Sequence, residues 1–355
     1  MYEAITIKDI ARALGLSTST VSRALRGSYE ISSETKKLVI EYAEQYNYRP
    51  NPIALSLKER RSRSISVVVC EIANNFFSQA INGIESIAYN RGYHVIISQS
   101  HESYDREVVN VEHLASRSVD GLLVSLSTET EHIEHFKSLH DKGFPIVFFD
   151  RITDEIETYK VVVDNYKGAY DATQHLIDAG YTKIAHLASS PHLSISIERL
   201  NGYKAALTDN GIPVNESYIK YCSHGGMIYT ELEEAVKALV QLKDRPDAIF
   251  SAGDRLTLSC LTALKSIGLT IPDDIAIVGF SNSGLVDLFT PGLTVIKQPA
   301  FEMGQVATEL LIKLIESKRP VTEFEKVVLQ TEIQIRDSSA GKPMKKNTSR
   351  KKAVT

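Results

Sequence analysis

Thr6-Ile-Lys-Asp-Ile-Ala-Arg-Ala-Leu-Gly-Leu-Ser-Thr-Ser-Thr-Val-Ser-Arg-Ala-Leu25 spells two short helices about a tight turn. Thr6 suits the N-cap of the first, with Asp9 three residues on as a looser form of the capping box. Ile10, Ala11 and Leu14 share one face, and Gly15 supplies the left-handed stop. Ser17 is a second N-cap, so the next helix opens with Thr18, Ser19 and Thr20 facing outward. Val21, Ala24 and Leu25 form its apolar side and leave Ser22 and Arg23 exposed. Caps and apolar stripes alone describe any small helical bundle. The three-residue turn followed by small hydroxyls and an arginine is what a major-groove reading helix requires.

Working outward, Ser32 to Tyr48 reads as a third, packing helix. Arg49-Pro-Asn-Pro-Ile-Ala-Leu-Ser-Leu-Lys58 follows, with Asn51 as a cap and Pro52 at a first helical position. That segment is too short to hold a helix alone in water. Four of the six residues from Lys58 to Arg63 are basic.

The segments Ile7-Lys-Asp-Ile-Ala, Ser17-Thr-Ser-Thr-Val-Ser-Arg and Asn47-Tyr-Arg-Pro-Asn resemble the lac-repressor (LacI/GalR) family of bacterial transcription regulators. The likeness continues to about Ile335. It implies a regulator that binds a double-stranded, pseudo-palindromic operator as a homodimer, with Thr18, Ser19 and Arg23 at base-reading positions. Thr6, Ser17, Thr20 and Ser22 are the neighbouring contacts expected of the head, and Lys8, Arg26, Lys36 and Lys37 serve as phosphate contacts or simply solvated charge. The same likeness makes Asn51–Lys58 a hinge helix that pairs with its twin in the minor groove. There Leu57 is the apolar wedge, Ala54 the small residue at the pair's contact, and Asn51 and Lys58 flank them.

The 355 residues suit two or three domains. The net charge of -4 divides unevenly: residues 1–63 carry +4, residues 341–355 carry +6, and the rest carries -14. A basic head on an acidic body concentrates phosphate attraction at one end. Cys70, Cys222 and Cys260 are distant and odd in number, which suits buried thiols rather than a disulfide framework or zinc site. No apolar run reaches the roughly 20 residues of a membrane span, and the first residues lack a secretory pattern, so a cytoplasmic protein is expected. Gly-rich phosphate loops, nucleophile elbows and metal-ligand spacings are missing from the sequence. No enzyme activity, cofactor or metal is therefore expected.

From Ser64 onward, short Val/Ile-rich runs alternate with amphipathic stretches, which implies right-handed crossovers and buried parallel sheets. The fold class is thus α/β: an all-α helix-turn-helix head and a two-lobed body of two parallel-sheet subdomains. The expected divisions are 1–50 for the head, 51–63 for the hinge, 64–340 for the body and 341–355 for a disordered basic tail. A second α/β set begins at Val161-Val-Val-Asp164, so the first lobe is expected over about 64–160 and the second over about 161–291. By resemblance, about 292–320 returns to the first lobe and about 321–338 to the second, and the body is like periplasmic sugar-binding proteins. The tail lacks the leucine heptad that builds tetramers in some members, which favours a dimer.

Ligands of such sheets lie beyond the strand C-termini. Asp150 and Arg151 end one strand, Asp254 follows Phe250-Ser-Ala-Gly, Ser281-Asn282 follow Ile275 to Phe280, and Gln298 closes Thr294 to Lys297. Arg199 begins Arg-Leu-Asn-Gly-Tyr203. Acids, an arginine fork and amides suit a sugar-like polyol. The resemblance implies that Asp150, Arg199, Asp254 and the Ser281-Asn282 pair line an effector site. Gly253 and Ser281 depart from sugar-responsive relatives, which often carry Asn and Asp there. Phe76 and Phe77 serve either as ring-stacking residues or as core. Control by a protein partner, such as a phosphocarrier, is the alternative to a small effector, and a sugar-binding protein is the other.

Overall fold

The computed structural model describes residues 5–48, 61–116 and 119–341. The hinge residues Asn51, Ala54, Leu57 and Lys58, and the basic tail beyond Gly341, fall outside the described residues. The chain divides into two compact units, Met1–Ser62 and Arg63–Thr355.

The first unit holds helices α1 (Ile7–Ala13), α2 (Thr18–Leu25) and α3 (Ser33–Gln45). Thr6 caps α1 with a complete capping box: Asp9 donates its amide to Thr6 Oγ1 at 3.3 Å, and Thr6 donates its own to Asp9 Oδ2 at 3.0 Å. All three helices end in the same left-handed fashion. Gly15, Gly27 and Asn47 have φ of +64°, +70° and +50°. The following amides of Leu16, Ser28 and Tyr48 return to the carbonyls of Ala11, Arg23 and Ala43 at 2.9, 3.0 and 2.8 Å. Ile10, Ala11, Val21, Ala24, Val39 and Ala43 then form one small core.

The second unit carries two six-stranded sheets. The first lobe contains β1 (Ser64–Val69), β2 (His94–Gln99), β3 (Leu122–Val124), β4 (Ile146–Phe149), β5 (Lys160–Val163) and β11 (Lys326–Leu329), in the order β11-β5-β4-β3-β1-β2. The second contains β6 (Ile184–Ala188), β7 (Ile219–Tyr221), β8 (Ala248–Ser251), β9 (Ala276–Phe280), β10 (Thr294–Lys297) and β12 (Glu332–Gln334), in the order β12-β10-β9-β8-β6-β7. Every pairing is parallel except β12 on β10. The central strands are buried along their length, as parallel sheets covered on both faces require.

Around the first sheet lie α4 (Asn75–Asn90), α5 (Tyr104–Ser116), α6 (Glu134–His140) and α11 (Ala300–Glu316). Around the second lie α7 (Asn165–Asp178), α8 (Ser194–Asp209), α9 (Tyr229–Val240) and α10 (Asp254–Ser266). Helices α4 and α11 approach so closely that a Cβ on Gly304 would stand 2.0 Å from the Ala80 carbonyl oxygen. One on Gly83 would stand 2.0 Å from that of Phe301.

Three lobe assignments made from sequence are corrected. Val161-Val-Val does not open the second lobe: β5 pairs with β4 through Phe149↔Val161 and closes the first sheet. Thr294 to Lys297 does not return to the first lobe but pairs with β9, and only α11 after it crosses back. Lys326–Leu329 lies beside β5 in the first sheet, and the last crossing falls between β11 and β12. Hydrophobic runs announce a strand, whereas its neighbour is set by which sheet still has an open edge within reach.

Candidate functional sites and family

The start of α2 is ordered by its own hydroxyls. Thr20 donates its amide to Ser17 Oγ at 3.0 Å, and Ser17 Oγ lies 2.7 Å from Ser19 Oγ and 2.8 Å from Thr20 Oγ1. Thr18 and Ser19 are exposed in the first turn, where unpaired helix amides and short side chains present donors together. Arg23 is about half exposed and meets Glu30 at 2.9 Å, a pair that solvent weakens. Arg26 turns back onto Ser22, donating to its carbonyl and its hydroxyl at 3.1 and 3.0 Å. Thr6 spends its hydroxyl on Asp9 at 2.6 Å. Ser17, Ser19 and Thr20 are thus brought together at the start of α2 and Arg23 stands in its last turn, while Ser22 and Thr6 are engaged within the head.

The second site lies where the strand C-termini of both lobes face each other. It is a narrow cavity of about 50 Å³. From the first lobe come Cys70, Glu71, Phe76, Phe77, Glu102, Asp150 and Arg151. From the second come Ser189, Arg199, Gly225, Met227, Asp254, Arg255 and Gln298. Charge and amide donors converge here from loops that follow six different strands.

Asp150 ends β4 in the left-handed region at φ +60° and is buried. Its loss of solvent pushes the carboxyl above the usual aspartate range, opposed first by Arg151 and then by Arg199. Arg199 is 3% exposed. It donates through Nε to Asn165 Oδ1 at 2.8 Å and through Nη1 to the Ala252 carbonyl at 2.7 Å, with its guanidinium 3.8 Å above the Phe280 ring. Burial lowers its pKa to about 10, so it stays charged at neutral pH. Burial likewise raises Asp254, which accepts Ser281 Oγ at 2.5 Å and the Asn282 amide at 3.3 Å. Gln298 is buried with Nε2 unsatisfied, as is Ser189 Oγ, and both residues line the cleft, so these donors are open to a ligand.

Ser281 and Asn282 do not line the cleft. Ser281 holds Asp254, while Asn282 bridges the lobes: its Nδ2 donates to Gln79 Oε1 at 2.9 Å and to the Gln298 carbonyl at 2.7 Å. Gln79 returns a bond to the Asn282 carbonyl at 2.9 Å, and Glu71 pairs with Arg255 across the same cleft. Phe76 and Phe77 stand edge to face at 5.2 Å, belong to the first-lobe core and reach the cleft wall.

Glu102 is a charged wall residue that sequence reading does not single out. Glu102 sits on successive left-handed residues, His101 (φ +52°) and Glu102 (φ +63°), which no glycine or asparagine announces. Its Oε2 accepts the Thr128 amide at 2.9 Å and Arg151 Nη1 at 2.7 Å. Testing the end of every strand, including β2, would have found it.

Comparison with known proteins agrees with this layout. Residues 6–51 match the family described as bacterial regulatory proteins, lacI family, and residues 173–339 match the periplasmic binding protein-like domain. Catabolite control protein A of Priestia megaterium is 33% identical over 315 residues, 88% of this chain and 93% of that protein. The HTH-type transcriptional repressor PurR of Vibrio campbellii is 33% identical over 335 residues, 94% of this chain and 98% of that protein. Among solved structures, a transcriptional regulator CelR–cellobiose complex aligns over 94% of this chain and 99% of its own, with TM-score 0.70 and 28% identity. The lac repressor dimer bound to operator and the anti-inducer ONPF shares the fold, with TM-score 0.80, 23% identity and coverage of 96% and 100%. A DNA-binding transcriptional regulator is the class that head and body together define. The chain belongs to the LacI family of bacterial regulatory proteins, whose members named above are regulators and not enzymes. No described helix is long and apolar enough to cross a membrane.

Proposed function

We propose that this protein binds a pseudo-palindromic operator as a homodimer and that a small polar, sugar-like effector in the interlobe cleft sets its operator affinity. The observation that carries this reading is that the buried, unsatisfied Gln298 Nε2 and Ser189 Oγ belong to residues lining one cleft with Asp150, Arg199 and Asp254. Buried polar groups are normally satisfied, and a polyol offers the paired donors and acceptors that would satisfy these. Asp150, Arg199, Asp254 and Gln298 are its contacts, Phe76 and Phe77 its apolar wall, and Ser281 and Asn282 hold Asp254 and the closed lobes. The cellobiose complex of CelR and the ribose complex of an Enterococcus faecium LacI-family regulator support a saccharide. A ligand shifts operator affinity only by its different affinity for the two arrangements of the lobes. A thermal-shift screen of free sugars tests the cleft: a saturating ligand raises apparent stability by a few kcal/mol, and a flat response to every saccharide overturns the sugar reading.

In the head, Arg23 reads guanine or braces a phosphate, while Thr18 and Ser19 supply short hydroxyl and methyl contacts. Arg23→Ala is expected to weaken the best operator by about 1–3 kcal/mol and relax one base position. Oligonucleotide selection with both proteins checks this, and an unchanged affinity and base preference removes Arg23 from the reading.

For the dimer, the edge strand β2 leaves Ile96 and Ile97 about 40% exposed, and flanking α4 and α5 expose Tyr89 and Val109. An uncovered apolar edge is a pairing surface. Ile97→Asp is expected to halve the mass in sedimentation and to weaken operator binding. A variant that remains dimeric places the interface elsewhere.

A further inference from the structure

The cleft holds three guanidiniums, and each already has partners. Arg255 pairs with Glu71. Arg199 is bonded to Asn165 and the Ala252 carbonyl and lies on Phe280. Arg151 gives Nη1 to Glu102 Oε2 at 2.7 Å and to the Leu126 carbonyl at 3.3 Å, while its Nε, 4.0 Å from Asp150, is buried and makes no hydrogen bond. Against these three cations stand four carboxylates in the lining, those of Glu71, Glu102, Asp150 and Asp254, for a formal balance of -1. A phosphate entering this space would meet net negative charge in a poorly solvated site, where like charges repel far more than in water.

Glu102 decides that balance. Its carboxylate is fixed by the Thr128 amide, and its Oε1 faces the second lobe, where a Cβ on Gly225 would lie only 3.3 Å away. It therefore sits between Arg151 and whatever enters from the cleft, on a turn of two left-handed residues that holds it there.

We infer that Glu102 sets the charge class of the effector: by occupying Arg151 it makes the cleft a site for an uncharged polyol and excludes the phosphorylated counterpart. This rests on the cleft being the effector site. Calorimetry and thermal shift at fixed ionic strength test it with D-ribose against ribose 5-phosphate, D-glucose against glucose 6-phosphate, and inorganic phosphate alone. The wild type is expected to show no stabilisation by any of the three anions. Glu102→Gln keeps the acceptor for the Thr128 amide and removes the charge. It is expected to bind the phosphorylated sugars or phosphate at least ten-fold more tightly than the wild type, a gain erased by adding Arg151→Met. Glu102→Asp should behave as the wild type does. The inference is overturned if the wild type binds a phosphorylated sugar as tightly as its uncharged partner, since that arm needs no variant. It also falls if folded Glu102→Gln gains no anion affinity, or if the gain survives loss of Arg151. If Glu102→Gln gains anion binding while the wild type answers to no saccharide, the role of Glu102 stands and the polyol reading fails instead.

Discussion

Replacing Gly304 by alanine is expected to destabilise the body by about 3 kcal/mol, the upper part of the usual range for forcing a methyl into packed space. The added Cβ would stand 2.0 Å from the Ala80 carbonyl oxygen and 2.9 Å from the Ile84 amide nitrogen, both backbone atoms of α4. A side chain could rotate away, whereas a helix backbone cannot move without its neighbours. Helices α4 and α11 must therefore separate, and the core between them, including Ile84, Met303 and Ala307, loses contact. Gly83 makes the reciprocal approach to Phe301, so the two helices meet through bare backbone on both sides. Urea unfolding is the measurement, with Gly284→Ala as the control, because nothing lies within 4 Å of its Cβ position. Equal stability of Gly304→Ala and the control would mean that the helices do not pack as described.

Loss of Arg199 is the second large effect. Arg199→Leu is expected to cut affinity for any saccharide that stabilises the wild type by at least 100-fold, as removal of a charged hydrogen-bonding group from a buried site does. Three consequences act together. The ligand loses a planar donor fork. Asn165 Oδ1 and the Ala252 carbonyl lose their donor. Asp150, already raised by burial, loses one of the two cations that oppose that rise. Arg199→Lys keeps the charge but not the fork and should fall between the two. Operator binding without ligand should persist in both variants while the ligand's effect on it disappears. A full ligand response in Arg199→Leu would show that the effector binds elsewhere.

The head was legible almost residue by residue. Caps, stops and small hydroxyls act within four residues of themselves, and Thr6, Gly15 and Ser17 do in space what their neighbours in sequence require. The alternation of apolar runs announced two parallel sheets for the same reason, since burial on both faces demands it. Part of the cleft was legible too, because Asp150, Asp254 and Gln298 follow strands whose ends had to face a crevice. Less followed from pattern where two distant segments choose each other. Nothing local to Val161, Thr294 or Lys326 says which sheet has a free edge, and all three strands lie in the lobe opposite to the expected one.

Side chains at the cleft divide in the same way. Sequence placed Ser281 and Asn282 beside Asp254, but only packing turned one into its support and the other into a bridge to Gln79, 203 positions away. Glu102 and Arg151, 49 residues apart, meet because β2 and β4 both end on the C-terminal side of one parallel sheet and a left-handed turn aims the carboxylate inward. The amino-acid sequence by itself determined the helices, the strands and the family, because hydrogen-bond capping and apolar periodicity are short-range. The tertiary structure alone decided lobe membership and the charge of the cleft, because those depend on desolvation and pairing among groups that the chain brings together only when folded.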